Sequence, residues 1–166
     1  MSMIAQSIAT VFGVGYLRPA PGTWGSLAAL PVAWALHTLG GFPMLLTATA
    51  AIFILGVWAT TLVTEASSDH DPGEIVVDEV VGQFVALLPL SWAAWRMHLD
   101  VLALWPGWIA AFVLFRLFDI WKPGPVGWAD RRRDAAGVML DDVIAGVFSA
   151  AGMMLMAGLW HGVMGR

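Results

Sequence analysis

Carboxylates beside apolar runs are the residues in this sequence best placed to do chemistry. Two adjacent acidic pairs, Asp78–Glu79 and Asp141–Asp142, each open a stretch rich in valine, isoleucine and alanine. A charge in hydrocarbon costs at least about 2.5–3.5 kcal/mol on insertion scales, and a second like charge beside it adds to that cost. A cation or a buried basic group must therefore compensate each pair.

Basic residues lie close to a further carboxylate in "FRLFDIWKP". Arg116 and Asp119 are three residues apart and share one helix face, and Lys122 follows one turn later. Carboxylates in this number suit Mg²⁺ or another hard divalent cation, and a cation together with arginine and lysine suits a phosphate ester. Each feature also has a simpler explanation: Arg116 and Asp119 as an ion pair within one helix, and Asp141 and Asp142 as helix caps. Their occurrence at one predicted boundary favours a site.

Two further polar motifs have less specific patterns. In "PAPGTWGSLAALP", Thr23 and Ser26 precede an apolar helix, where they can cap it or help its free N–H groups receive a phosphate oxygen. The basic run at 131–133 is typical of an anchor for lipid headgroups. Because this motif falls on the same predicted face as the carboxylates, we predict that Thr23 and Ser26 bind the substrate.

The composition is that of a membrane protein. Of the 166 residues, 59% are hydrophobic and 12% are charged, about half the charged share of a soluble domain. The length predicts a single domain over 1–166. A net charge of −4 without a broad basic face argues against a nucleic-acid partner. The absence of cysteine excludes disulfides, a thiol nucleophile and cysteine-ligated metals.

The hydropathy pattern predicts an all-α polytopic membrane bundle with four to five apolar helices. Gly40-Gly41-Phe42-Pro43 interrupts the first long apolar stretch. The candidate helices cover 24–39, 44–64, 80–95, 101–118 and 143–160. The first is short for a span, which needs about 20 residues. The alternative, a soluble helical bundle, requires a polar face that residues 44–63 lack.

Five spans would place nearly all charge on one side of the membrane. The loops at 64–79 and 119–142 then share a side, and Lys122 with the basic run at 131–133 assigns it to the cytoplasm. Arg96, Asp100 and Arg166 fall on the opposite side. The sequence therefore predicts a polar site on the cytoplasmic face.

Four motifs in order, "PGTWGSLAALP", "DPGEIVVDEVVGQ", "FRLFDIWKPGP" and "GVMLDDVIAG", resemble the phosphatidylglycerophosphatase A family over about residues 11–149. The resemblance implies an all-α, Mg²⁺-dependent phosphatase of the bacterial inner membrane. Its substrate would be the phospholipid phosphatidylglycerophosphate, hydrolysed to phosphatidylglycerol and inorganic phosphate. The implied functional residues are Asp78, Glu79, Arg116, Asp119, Lys122, Asp141 and Asp142, with Thr23 and Ser26 from the first motif.

Within this reading we predict that Asp78, Glu79, Asp141 and Asp142 bind the metal and that Arg116 and Lys122 contact the phosphate. The nucleophile is either water activated by the metal or a carboxylate that forms an acyl-phosphate. Two other functions use similar residues. A membrane phosphotransferase acting on CDP-activated lipids has a D–G–x₂–A–R string that is absent here, and a cation transporter would place its acidic residues near the membrane midplane.

Overall fold

The apolar sequence folds into α-helices, which confirms the predicted all-α class. The structure is a computed structural model that describes residues 2–67, 72–132 and 134–164, with side chains up to residue 160. The α-helices are α1 Met3–Ala9, α2 Pro21–Glu65, α3 Val77–Met97, α4 Trp105–Trp121, α5 Pro125–Asp130 and α6 Ala135–Met164, with 3₁₀ turns at Val14–Tyr16 and Val101–Leu104.

Helix α2 is two helical segments joined by a sharp reversal. Gly40 and Gly41 leave the helical conformation, and Gly41 has φ 63° and ψ −157°. This positive φ favours glycine, and a β-carbon at Gly41 would also overlap the ring of Trp95. The predicted break between the first two helices is thus confirmed. The first segment begins at Pro21 instead of residue 24, which makes it about 28 Å long, close to the thickness of a bilayer's hydrocarbon core.

The helices are long and apolar enough for a membrane protein. Four helical stretches in the described residues meet both criteria: α2, α3, Val101–Trp121 and α6 up to Trp160. Helix α3 has the lowest mean hydropathy, 1.2. In its most apolar 18-residue stretch, 67% of the residues are buried, against 17–28% in the corresponding stretches of the other helices. The outer helices therefore present the more apolar surface, as expected where lipid takes the place of water.

Contacts between helices fix the direction of each segment. At one end of the bundle, the Val76 N–H donates to Ala9 O, and Glu79 packs against Gly22. At the other end, His37 Nδ1 lies 2.7 Å from Ser91 Oγ. The first segment of α2 and helix α3 therefore run in the same direction, away from the end at which α4 finishes and α6 begins.

This arrangement divides the charged residues as predicted. Arg96 and Asp100 lie at the end of α3 remote from Asp78 and Glu79. The remaining described charges gather at the opposite end, which we call the polar end: Arg18, Glu65, Glu74, Asp78, Glu79, Arg116, Asp119, Lys122, Asp130, Arg131, Arg132, Asp134, Asp141 and Asp142. Arg166, predicted on the side away from this end, lies outside the described residues.

The start of α6 differs from the prediction. We expected a helix over 143–160 headed by the acidic pair, but α6 begins at Ala135. Asp134 precedes it, and its Oδ1 accepts from the Gly137 N–H at 2.7 Å. Asp134 thus performs the capping role considered for Asp141 and Asp142, which lie in the second turn of α6. The interpretation of the pair as caps is wrong.

Candidate metal and phosphate site

Three carboxylates from two helices meet at the polar end. Asp78 and Glu79 come from the first turn of α3 and Asp142 from α6, and one oxygen of each lies within 4.8 Å of the others. Asp78 is 7% exposed and Asp142 is 3% exposed. The approach of α3 to α6 brings them together, since Gly82 of α3 packs directly on the backbone oxygen of Asp142. The two acidic pairs therefore converge as the sequence predicts.

Asp78 and Asp141 are oriented by their own helices. Asp78 Oδ1 accepts from the Glu79 N–H at 3.0 Å, and Asp141 Oδ1 accepts from the Asp142 N–H at 3.0 Å. These bonds leave Oδ2 of each carboxylate to face other groups. Asp141 Oδ2 accepts from Lys122 Nζ at 3.0 Å. Asp141 is thus held by a lysine, apart from the three-carboxylate cluster.

Lys122 sits at the C-terminal end of α4 with a φ of 49° and contacts Asp130 as well as Asp141. Burial lowers the pKa of Lys122, but the hydrogen bonds and charges of these two aspartates outweigh it and raise the pKa above its ordinary value. Lys122 therefore stays charged at any physiological pH. Asp130 was missed by the sequence analysis, although it lies only eight residues beyond Lys122, where short α5 turns the chain back.

Arg116 lies in the wall of the site. Its Nη1 pairs with Asp119 Oδ2 at 2.5 Å and donates to Ser26 Oγ at 3.4 Å. The pairing of Arg116 with Asp119 within α4 is as the three-residue spacing predicts. Ser26 Oγ itself donates to Gly22 O at 2.9 Å, so this serine ties α2 to α4.

The first motif does not cap its helix. The N-cap of α2 is Ala20, which makes no side-chain cap bond, and Thr23 lies within the first turn. Thr23 is half-buried and its N–H donates to Ala20 O at 3.0 Å. Ser26 is fully buried, one turn further into the bundle. The expectation that Thr23 or Ser26 caps the helix is therefore wrong.

A cavity of ≈ 460 Å³ opens over the carboxylates. Its lining residues are Gly73, Ile75, Asp78, Glu79, Asp119, Lys122, Asp130, Arg132, Val138, Asp141 and Asp142. It thus brings together six of the nine predicted site residues. Arg116 and Ser26 are placed behind it, and Thr23 also lies outside its lining.

Arg132 forms part of the rim of this cavity. Its Nη2 donates to Asp134 Oδ2 at 2.8 Å, and its guanidinium carbon lies 5.8 Å from the centre of the Trp128 ring. The Arg132 hydrogen bond lowers the pKa of Asp134. Arg132 is thus the member of the described basic run that lines the cavity. The run itself stays a predicted anchor at the membrane surface.

The charges around the cavity leave an excess of carboxylates. Six acidic side chains line it against the two basic side chains of Lys122 and Arg132, with Arg116 in the wall. Glu79 Oε2 is buried and has no hydrogen-bond partner among the described residues. Buried anions without a partner are costly, and carboxylate oxygens at this spacing are the ligands that hard divalent cations prefer. The residues present therefore fit a divalent cation.

Comparisons with known proteins agree with the four sequence motifs. The family model described as Phosphatidylglycerophosphatase A matches residues 7–157. The chain is 40% identical over 144 residues to Phosphatidylglycerophosphatase A of Haemophilus influenzae, covering 86% of this chain and 82% of that protein. It is 35% identical over 155 residues to Phosphatidylglycerophosphatase A of Escherichia coli K12, covering 92% and 83%. No solved structure matches the chain. On the strength of this similarity along most of its length, the chain belongs to the phosphatidylglycerophosphatase A family.

Proposed function

We propose that this protein hydrolyses the terminal phosphate monoester of phosphatidylglycerophosphate, with Mg²⁺ as cofactor, and releases phosphatidylglycerol and inorganic phosphate. The observation that carries the proposal is the buried cluster of Asp78, Glu79 and Asp142 in a cavity at one end of an apolar bundle. A phosphomonoester on a lipid headgroup lies at the membrane surface, which is where a site at the end of a bundle would meet it. Membership of a phosphatase family supports the reaction class.

Asp78, Glu79 and Asp142 would hold the cation, with Asp141 as the fourth predicted ligand beside them. When bound, Mg²⁺ would offset the phosphate charge and supply Lewis acidity for attack and departure of the alkoxide. The carboxylates of Asp78 and Asp141 are pre-oriented by hydrogen bonds within their own helices, so little ordering of these side chains would remain for the binding step. Asp142 is favoured as a ligand by its burial and by its closeness to Asp78 and Glu79.

The basic residues divide into two roles in this proposal. Lys122 lines the cavity and would offer its ammonium to the phosphate oxygens, while Asp130 and Asp141 keep it in place. Arg116 was predicted to contact the phosphate, but its guanidinium faces Asp119 and Ser26 in the wall. We infer that Arg116 acts as a fixed counter-charge for Asp119 and Glu79. Thr23 and Ser26 would shape the wall behind them.

The direct test is phosphate release by the purified protein in mixed micelles. We expect Mg²⁺-dependent release from phosphatidylglycerophosphate, loss of release in chelator, and slower release from phosphatidate, which lacks the second phosphate. Product analysis by mass spectrometry would identify phosphatidylglycerol. Phosphate transfer that requires a CDP-activated lipid, or release at full rate in chelator with all metal removed, would refute the proposal.

We further propose that the polar end faces the cytoplasm of a bacterial inner membrane. The chain has no cysteine, so single cysteines can be introduced without background. In intact spheroplasts, we expect Glu74→Cys and Arg132→Cys to resist an impermeant maleimide until the membrane is opened. Leu99→Cys, which is exposed at the opposite end, should react at once. Labelling of positions 74 and 132 but not 99 would reverse the orientation.

A further inference from the structure

Gln83 is a buried polar residue that the proposed mechanism does not use. It lies on α3 one turn beyond Glu79 and is 0% exposed. Within the part of the chain that the structure describes, neither its Nε2 nor its Oε1 has a hydrogen-bond partner. An amide in an apolar interior destabilises the fold unless its donor and acceptor are satisfied. Its presence in the most buried helix therefore calls for hydrogen-bond partners.

Two other buried groups without partners are complementary to this amide. Glu79 Oε2 is an acceptor and Arg116 Nε is a donor, and both are buried and without a partner in the described residues. Gln83 offers one donor and one acceptor. These four atoms are not hydrogen-bonded to one another in the structure. A shift of the side chains that let Arg116 Nε donate to Gln83 Oε1, and Gln83 Nε2 donate to Glu79 Oε2, would satisfy all four.

The helix register places Gln83 on the side of α3 where these groups lie. Glu79 and Gln83 are one turn apart and lie about 40° apart around the helix, and Ser91 lies about 80° further round in the same sense. Glu79 and Ser91 both contact the first segment of α2, Glu79 at Gly22 and Ser91 at His37. Gln83 lies between them and therefore faces the same segment. Arg116 also bonds to this segment, through Ser26, one turn beyond Gly22.

We propose that Gln83 is a positioning residue that connects the fixed charge of Arg116 to Glu79 and sets the orientation of the Glu79 carboxylate toward the divalent cation. The inference rests on the proposed metal site. Glu79 Oε1 lies against Gly22 and close to the Arg116 guanidinium, so a hydrogen bond to Oε2 would fix the plane of the carboxylate. Groups that orient metal ligands in this way typically change metal affinity by about 10–100-fold when they are removed.

The test compares Gln83→Met, which preserves length and removes both hydrogen-bonding atoms, with Gln83→Asn, which keeps the amide on a shorter side chain. Thr60→Val is the matched control. Thr60 is also fully buried and its hydroxyl has no partner among the described residues, but it lies outside the cavity lining. Mg²⁺ binding is measured by isothermal titration calorimetry in detergent, and the melting temperature is measured in chelator.

We expect both Gln83 variants to bind Mg²⁺ about tenfold more weakly or worse, and Thr60→Val to bind like the wild type. Melting of Gln83→Met in chelator should be unchanged or higher, since a buried unpaired amide has been removed. If the wild type binds Mg²⁺ and both Gln83 variants bind it equally well, the positioning role is refuted while the proposed function stands. If the wild type itself binds no Mg²⁺, the metal site and the positioning role are refuted together.

Discussion

Asp142→Asn should reduce phosphate release from phosphatidylglycerophosphate by about 10³-fold or more, because losing a charged metal ligand removes several kcal/mol of transition-state stabilisation. Asp142 is 3% exposed, and one of its oxygens lies within 4.8 Å of the Asp78 and Glu79 oxygens. The amide keeps the shape of the side chain but not its charge. Steady-state release at saturating Mg²⁺, measured on protein of confirmed monodispersity, is the readout.

The same substitution should stabilise the protein when no cation is present. In chelator, Asp142 faces the carboxylates of Asp78 and Glu79, and neutralising it removes like-charge repulsion in a buried site. We therefore expect a higher melting temperature than wild type in chelator and a smaller rise on adding Mg²⁺, since ligand binding stabilises the folded state by mass action.

Asp134→Asn is the matched control for this prediction. Asp134 directly precedes the helix that carries Asp142, but it caps α6 and is exposed. Asparagine also caps helices well, so both the rate and the Mg²⁺-induced stabilisation should stay close to wild type. Release at a wild-type rate from Asp142→Asn would remove this residue from the site, and equal losses in both variants would point to a general effect of charge on this surface.

The convergence of the acidic pairs is the part of the site that the sequence predicts well. Adjacent carboxylates beside apolar runs are costly in a membrane protein unless a counter-charge compensates them, so the two pairs are expected to lie close together around one cation. The sequence predicts the break at Gly40 and Gly41 equally well, because consecutive glycines weaken a helix locally whatever surrounds them. Both signals are confined to a few neighbouring residues and need no knowledge of packing.

The predicted start of α6 is wrong because a helix predicted from hydropathy ends where charged residues interrupt the apolar run. Asp141 and Asp142 interrupt the apolar run, so the predicted helix began after them at residue 143. In the structure these two carboxylates lie inside the helix, and Asp134 caps it. A cap within a run of charged residues carries little hydropathy signal, and only the hydrogen bond to the Gly137 N–H identifies it.

The position of Arg116 depends on tertiary contacts that spacing does not encode. Its separation from Asp119 fixes a shared helix face but does not reveal what that face meets. The structure turns it toward Ser26 of α2, behind the cavity, whereas Asp130 enters the cavity from short α5. Gln83 was likewise not singled out, because an isolated glutamine in an apolar helix gives no chemical signal until its burial is known.

The contact between α3 and α6 at Gly82 sets the distance between the two acidic pairs. A β-carbon added at Gly82 would lie 2.6 Å from the backbone oxygen of Asp142 and 2.5 Å from a ring carbon of Phe115. Phe115 is fully buried, and the Asp142 oxygen belongs to the helix backbone, so neither can move without shifting its helix. The packing that allows close approach of the helices therefore also positions a predicted metal ligand.

Gly82→Ala should consequently lower both stability and activity. Overpacking of a well-packed core typically costs about 1–3 kcal/mol, and a displacement of about 1 Å in a catalytic group can cost about 10²-fold in rate. We expect a lower melting temperature in chelator, Mg²⁺ binding weaker than wild type, and phosphate release reduced about 100-fold at a temperature where the variant remains folded.

Gly158→Ala provides the matched control on α6, because a β-carbon there meets no described atom within 4 Å. Alanine should slightly stabilise this turn of the helix and leave Mg²⁺ binding and phosphate release unchanged. Calorimetry on both variants shows whether the substitution affects only the packing of the helices or also the position of the predicted metal ligand Asp142. If Gly82→Ala melts lower but binds Mg²⁺ as tightly as wild type, the glycine serves the fold alone. If it loses affinity while Gly158→Ala does not, the close contact of α3 with α6 is what holds Asp142 beside Asp78 and Glu79.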